Sequence, residues 1–402
     1  MNKVSREVSF IALLFGAFIL EGAAYFAFPY VSLQLRDHFK FSANNMGLLL
    51  SVGIWFRPLW SILGGILGEK FRSIYLLVFG CLSESLAFVL LGIGSSQYLA
   101  IIAIIIANMG LSVWNPNLYA QVYRIYDNQK TDCQKKVFIL NAFLYSGAAV
   151  GSMSGALVES KSRTGVFLGS GVLFLIALFV LSFLLIKAPI PIKPATREKF
   201  TKSWKDILLN QQAFSLIIVS VCFWASYNQF NAFFSLFAND WLKNGTMAGF
   251  AFGSVTLLVA FLSFIIPKSR IISRNIFLIA PFVLVLFSIS WIMKVLIPNY
   301  FSVLFFISSI ALAESFFVTI LADLWAKIDP DKPHLMQSFN YSISTLGMGV
   351  GSLAGGYFYC SPEACKTLLS FGYENVSLLT LSLFCLIFFY RKRSLIPCND
   401  VT

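Results

Sequence analysis

VSFIALLFGAFILEGAAYFAFPYVSLQL, residues 8–35, is an apolar run interrupted by a single acid, Glu21. An α-helix rises about 1.5 Å per residue and the hydrocarbon core of a bilayer is about 30 Å thick, so roughly 20 apolar residues suffice to cross it. The run exceeds that length. It also outlasts the roughly 7–15-residue apolar region of a secretory signal and ends in no small-residue cleavage site, so we read it as a first membrane-spanning helix. Glu21 falls midway along it. Ionising a carboxylate at that depth costs roughly several kcal/mol unless a cation or water offsets it, which makes a proton on Glu21 a natural switch.

The rest of the 402-residue chain has the same character, with 58% hydrophobic and 12% charged residues and a mean hydropathy of +0.78. A soluble domain carries about 25% charged residues, so an integral membrane protein is expected. The net charge of +12 comes from Lys and Arg in short loops between apolar spans, with no basic–aromatic run in a soluble segment. It reads as positive-inside topology, and no nucleic-acid partner is expected. Seven cysteines are scattered without zinc spacing. Cys81, Cys222 and Cys385 fall within spans, Cys133 and Cys398 in cytoplasmic segments, and Cys360 and Cys365 flank SPEA in an outward loop where a local disulfide is possible.

Further spans of sufficient length lie near 44–67, 74–94, 98–123, 137–158 and 165–187, and then near 212–238, 246–267, 276–294, 300–325, 335–358 and 373–390, giving twelve in all. The implied organisation is a six-helix bundle over 1–187, a cytoplasmic linker over 188–211 and a second six-helix bundle over 212–402. With both termini inside, Lys70, Arg72, Arg124, Lys130, Lys135, Lys136, Lys268, Arg270, Arg274, Lys327, Lys332 and Arg391–Arg393 become cytoplasmic, whereas outward loops keep a few, such as Arg36, Arg163 and Lys294. Prolines at 189, 191 and 194 extend the start of the linker, and WKDILL at 204–209 reads as a short amphipathic surface helix. The halves look related: GAAVGSMSGAL from Gly147 and GMGVGSLAGGY from Gly347 share their glycine spacing. Small residues at that spacing let helices approach closely, so packing of spans 5 and 11 is the plainer reading.

Counted from the inner ends of their spans, Glu21, Arg57, Glu84 and Glu314 all lie roughly 16–20 Å deep, in one layer near mid-bilayer. Arg57 cannot lose its proton and needs a partner, for which Glu21 and Glu84 are the candidates. One outcome is a structural ion pair joining spans 1, 2 and 3; the other is a proton site. Glu314 has no basic residue at its depth and is expected to stay protonated or to bond to a neighbouring helix. Pro58 is expected to bend the second span. Tyr25, Tyr30, Trp114, Asn115, Asn117, Tyr119, Trp224, Tyr227, Asn228, Gln229 and Asn231 supply the rings and amides that suit a cavity for an amphipathic molecule. No enzyme is indicated: His38 and His334 lie at opposite faces, there is no Walker A, G-x-S-x-G or HExxH motif, and no metal ligand set.

With twelve spans in two halves, a long basic central loop and LGGILGEKFRS at 63–73, the chain resembles the major facilitator superfamily along essentially its whole length. In that segment Gly65 and Lys70 match the family's cytoplasmic signature, Glu69 replaces the usual Asp and Arg72 a usual Gly. Within the superfamily it is similar to the drug:proton antiporters through FAFPYVSLQL, Arg57, WNPN at 114–117 and ALAES at 311–315. It departs from them at Ser152, where a proline is usual, and at Asn108, where many proton-coupled members have an arginine; GLSVWNPNLYAQVY bears a fainter likeness to proton-coupled peptide carriers. The resemblance implies a major facilitator fold and secondary active transport. In that reading Glu21, Arg57, Glu84 and Glu314 couple protons, and Gly65, Glu69, Lys70, Arg72 and Arg124 form an inner gate. The expected partners are a small-molecule substrate, protons as the coupling ion and membrane lipid. No further cofactor is expected, and the protein is expected to be a monomer in the cell membrane. Two rivals are an importer or metabolite carrier of the same fold, and a non-transporting receptor or scaffold.

Overall fold

The computed structural model describes residues 3–70, 73–126, 130–187, 211–265, 270–328, 333–359 and 369–393. They form α1 (Lys3–Ala27), α2 (Val31–Asp37), α3 (Ala43–Trp55), α4 (Arg57–Lys70), α5 (Ser73–Ile93), α6 (Gln97–Tyr126), α7 (Lys130–Glu159) and α8 (Arg163–Lys187). The second series is α9 (Gln211–Asp240), α10 (Met247–Ile265), α11 (Arg270–Leu296), α12 (Tyr300–Ile328), α13 (Pro333–Phe358) and α14 (Leu369–Arg393). There is no strand among the described residues. The linker and the Cys360–Cys365 loop lie outside them.

Two spans are built from two helices each. A 3-10 turn, Phe28–Tyr30, joins α1 to α2, where Pro29 lacks the N–H that would continue the ladder. Likewise α3 ends at Trp55, and Phe56 turns its N–H to the carbonyls of Val52 and Ile54 two residues before Pro58. The expected bend of the second span is therefore a break. Pro116 in α6 and Pro281 in α11 are accommodated inside continuous helices.

Among the described residues ten segments are long and apolar enough to cross a membrane, α1–α2 and α3–α4 each counting as one. The eleventh and twelfth are α13, diluted by Asn, Ser and Gly, and α14, whose apolar stretch is the shorter Gly372–Ile387. Packing sorts the twelve into two bundles. In the first, α1 packs on α7 and α8, α5 on α6 and α8, and α4 on α6; in the second, α9 packs on α13 and α14, α11 on α12 and α14, and α10 on α12. Each pair in one bundle has its counterpart in the other. The two large contacts between bundles, α7 with α10 and α3 with α13, also exchange under that correspondence. This is a two-fold pseudo-repeat.

The glycine motifs explain the tightest of these contacts. A Cβ on Gly147, Gly151 or Gly155 would run into the backbone carbonyls of Phe18, Gly22 and Phe26 on α1, and one on Gly347 or Gly351 into those of Val221 and Ala225 on α9. The repeat thus sets equivalent close packing in both halves, as its spacing implies. The core of the second bundle is aromatic, with Phe223 stacked on Phe317 at 4.5 Å and Phe230 on Phe252 at 4.4 Å. Lys294, expected in an outward loop, is instead 1% exposed. Its Nζ lies 3.8 Å from the Trp291 ring centroid and 4.3 Å from that of Phe306, so ring faces take the place of water around the ammonium.

Candidate functional site

The polar layer forms where the two bundles meet at half height. α1 contributes Glu21 and, one turn on, Tyr25; the break between α3 and α4 places Arg57; α5 brings Glu84 and α6 brings Asn108. From the other side come Tyr227 of α9, Glu314 of α12 and Tyr341 of α13. Tyr25 lies within electrostatic range of Glu21, Glu314 and Arg57, and Arg57 within range of Tyr341, Glu84, Tyr25 and Glu21. The four ionisable residues placed in one layer by counting therefore do come together.

Their bonding departs from the expectation. Arg57 donates Nε to Asn108 Oδ1 at 2.7 Å, and no ion pair to Glu21 or Glu84 forms. Asn108 is suited to this because its amide N–H is already spent on the Ile104 carbonyl at 2.7 Å, leaving the oxygen for the guanidinium. A neutral partner satisfies one donor without cancelling the charge, so Arg57 keeps acting on both acids at longer range. Glu21 has a buried oxygen, Oε2, with no hydrogen-bond partner. Glu84 is buried beside the Trp114 indole, whose N–H lacks hydrogen-bond geometry to it.

Glu314 is the link between bundles. Its Oε1 accepts from the Tyr145 hydroxyl of α7 at 2.9 Å and its Oε2 from the Tyr227 hydroxyl of α9 at 2.9 Å. One carboxyl group, 4% exposed, thus takes a donor from each half. Sequence reasoning missed Tyr145, and a tyrosine in an apolar helix gives no signal that it faces a carboxylate on another bundle.

The lining residues divide. Trp224 packs edge-on against Tyr227 at 5.3 Å, and its indole N–H and the Asn231 carbonyl oxygen are buried without hydrogen-bond partners. Asn115 is half-buried, and Tyr119 donates to Asn141 at 2.7 Å, so it ties α6 to α7. Trp114 is fully buried against Gly80 of α5, and Asn117 bonds back to the Val113 carbonyl. Asn228 bonds Ser352 and the Met348 carbonyl on α13. Tyr30 is fully buried against Gly249 of α10, between the bundles. Gln229 turns away from the centre and donates to Glu374 of α14 at 2.7 Å. These packed residues are structural supports in this conformation. Of the inner gate, Arg72 and the side chains of Glu69, Lys70 and Arg124 lie outside the described residues, as does Gly65 beyond its place in α4.

At the face reached by the end of α2 the bundles are latched. Arg36 donates Nη1 to Asp240 at 2.6 Å and Nε to Asp37 at 2.8 Å; Arg163 reaches Asp37 at 2.6 Å and Glu159 at 3.2 Å. Thr246 donates to Glu159 at 3.1 Å and Tyr359 to Asp240 at 2.8 Å. Deeper, Ser51 donates to the Gly349 carbonyl at 2.7 Å and Trp55 to that of Leu346 at 3.2 Å, zipping α3 onto α13 down to the break. Below it α4 packs on α6 and leaves Leu59, Ile62 and Leu67 exposed. The sequence named Arg36 and Arg163 only as scattered outward charges.

The sequence model of the Major Facilitator Superfamily matches residues 13–352. Among curated relatives, an uncharacterized MFS-type transporter, YttB, of Bacillus subtilis is 27% identical over 174 residues, 42% of each chain. The multidrug resistance protein MdtH of Shigella dysenteriae is 22% identical over 51% of each chain. The chain thus spans about half the length of the curated relatives it matches. In three dimensions a bacterial homologue of the human peptide transporters PepT1 and PepT2 superposes with a TM-score of 0.78 at 14% identity, covering 97% of this chain and 98% of that one. The nucleoside transporter NupG gives 0.76 at 14% identity, over 95% and 99%. By the match over most of its length, its paired six-helix bundles and its apolar spans, this multi-pass membrane chain belongs to the Major Facilitator Superfamily.

Proposed function

We propose that the protein is a proton-coupled secondary transporter that exports amphipathic small molecules by alternating access, as a monomer in the cell membrane with both termini in the cytoplasm. The observation that carries this reading is the Glu314 carboxyl group held between Tyr145 of one bundle and Tyr227 of the other, within one layer with Glu21 and Arg57. A buried acid that bridges two rocking bodies changes its surroundings whenever they rock, so its protonation and the conformation are linked. The latch at the α2-end face and the much sparser contact of α4 than of α3 with α13 support a conformation that opens toward the cytoplasm. A substrate entering there meets Tyr25, Trp224 and Tyr227, and a donor group on it competes with the two hydroxyls for Glu314. Glu21 carries the coupling proton, Arg57 and Glu84 tune it, and Gly65, Glu69, Lys70, Arg72 and Arg124 close the inner face in the opposite state.

Glu21→Gln tests the role of Glu21, because it keeps shape and hydrogen bonding but exchanges no proton. The variant is expected to fold, to bind substrate with little pH dependence and to fail at transport against a gradient. A stable Glu21→Gln protein that pumps with wild-type pH dependence removes Glu21 from the mechanism.

A further inference from the structure

We propose that Arg57, flanked by Tyr25 and Tyr341, is the subsite for a carboxylate on the transported molecule, so that the substrate is an amphipathic zwitterion, an amino acid with an extended aromatic body. This deepens the reading of the central layer as the transport site and rests on it. Arg57 stands just past the break in the second span, where α3 ceases to be zipped to α13. On α13, Tyr341 precedes Leu346, the last rung of that zipper, by five residues, about 8 Å along the axis. Because α4 barely touches α13, the guanidinium and the phenol face one another across a seam that is open from the break onward.

The donors left over select the acid. Asn108 takes only Nε of Arg57, and the outer edge of the guanidinium, Nη1 and Nη2, makes no hydrogen bond to the described residues. That edge is the two-pronged donor that matches a carboxylate. The hydroxyls of Tyr25 and Tyr341, both within electrostatic range of the guanidinium, are likewise unbonded. All three side chains are half-buried, and none of these donor atoms is sealed from the surface, unlike Glu21 Oε2 in the same layer. A ligand can therefore reach them. Tyr25 belongs to the first bundle and Tyr341 to the second, so an acid held here touches both.

Charge balance selects the rest of the molecule. Arg57 is one cation in a layer with three acids, Glu21, Glu84 and Glu314. A ligand with only an acid adds a fourth, and one with only an amine leaves the guanidinium edge unmet. A zwitterion gives its carboxylate to Arg57 and its ammonium group to Glu21, whose Oε1 is open and unbonded one helical turn from Tyr25. A phosphate dianion would exceed the single cation.

The test is equilibrium binding of tritiated biphenylalanine to the full-length protein in neutral phosphatidylcholine nanodiscs, with empty discs subtracted. Unlabelled biphenylalanine should displace it at least about tenfold more strongly than its methyl ester, which keeps the amine and the rings but not the acid. Arg57→Lys keeps the charge but loses the fork, and Tyr341→Phe loses only a hydroxyl. Each should reduce that preference by at least about fivefold while the ester binds as before. Should Arg57→Lys fail to fold, Tyr341→Phe decides alone. Equal displacement by acid and ester, no saturable binding of biphenylalanine, or a wild-type preference in Tyr341→Phe overturns the assignment. Binding is read without a proton gradient, so its failure leaves proton-driven export to the flux measurement, and a failure of export leaves the binding result as it stands.

Discussion

Asp240→Asn should loosen the latch between the bundles and shift the protein toward the state in which that face is open. The Asp240 carboxylate takes a 2.6 Å charge-assisted bond from Arg36 across the interface and a 2.8 Å bond from Tyr359 within its own bundle. The amide oxygen can still accept from Tyr359, so the change removes the cross-bundle charge and, within its own bundle, only the 3.0 Å bond from Asn239. Hydrogen bonds to charged groups contribute about 1.5–3 kcal/mol. The Arg36 and Asp240 side chains are 27% and 10% exposed, and Arg36 keeps Asp37, so screening reduces the expected effect to about 1–2 kcal/mol. That changes the ratio of the two states by about 5–30-fold. Single-molecule energy transfer between dyes on residues 96 and 298, at the latched face, reads the ratio. Lys136→Gln is the control, because its 2.9 Å pair with Glu7 lies within one bundle. An unchanged distribution in Asp240→Asn, or an equal shift in Lys136→Gln, would refute the latch.

Gly151→Val forces a branched side chain against the Gly22 carbonyl and should cost at least about 1–3 kcal/mol of packing, seen as a lowered melting temperature in detergent; an unchanged melting temperature contradicts the close approach. Asn108→Leu leaves the Arg57 guanidinium without its direct acceptor, which for a buried charge costs about 3 kcal/mol, and should impair folding or transport, whereas Asn108→Asp should retain the bond; wild-type stability and transport in Asn108→Leu would count against the pairing. Tyr145→Phe removes one donor from Glu314 and should weaken contact between the bundles while the protein still folds; a wild-type ratio of states shows that the bridge does not couple them. A single cysteine at Ser203 should resist an impermeant reagent applied outside cells, and reaction there reverses the proposed topology.

Much of the architecture was legible because a bilayer makes it so. Backbone groups in hydrocarbon must be satisfied within the segment, so long apolar runs are helices, and the glycine spacing at 147–155 and 347–355 told which ones approach closely. Depth counting placed Glu21, Arg57, Glu84 and Glu314 together because rise per residue is nearly constant. Direction around each helix was not legible. That is why Gln229, two residues from Tyr227, was assigned to the cavity although it bonds Glu374, and why Arg57 was given a carboxylate partner rather than Asn108. Lys294 deceived for another reason, since charge at a span end normally marks a loop, and only the third dimension brings Trp291 and Phe306 around it. The latch was missed because its members come from six separate span ends, each unremarkable alone.

The most direct test of proton-driven export is to reconstitute the purified protein in liposomes of known orientation, impose a pH gradient, and record proton and substrate flux together for a fluorescent aromatic amine. Opposed, stoichiometrically linked fluxes are expected, and both should vanish in Glu21→Gln. Parallel fluxes would make the protein an importer, and substrate movement indifferent to the gradient would contradict proton coupling altogether.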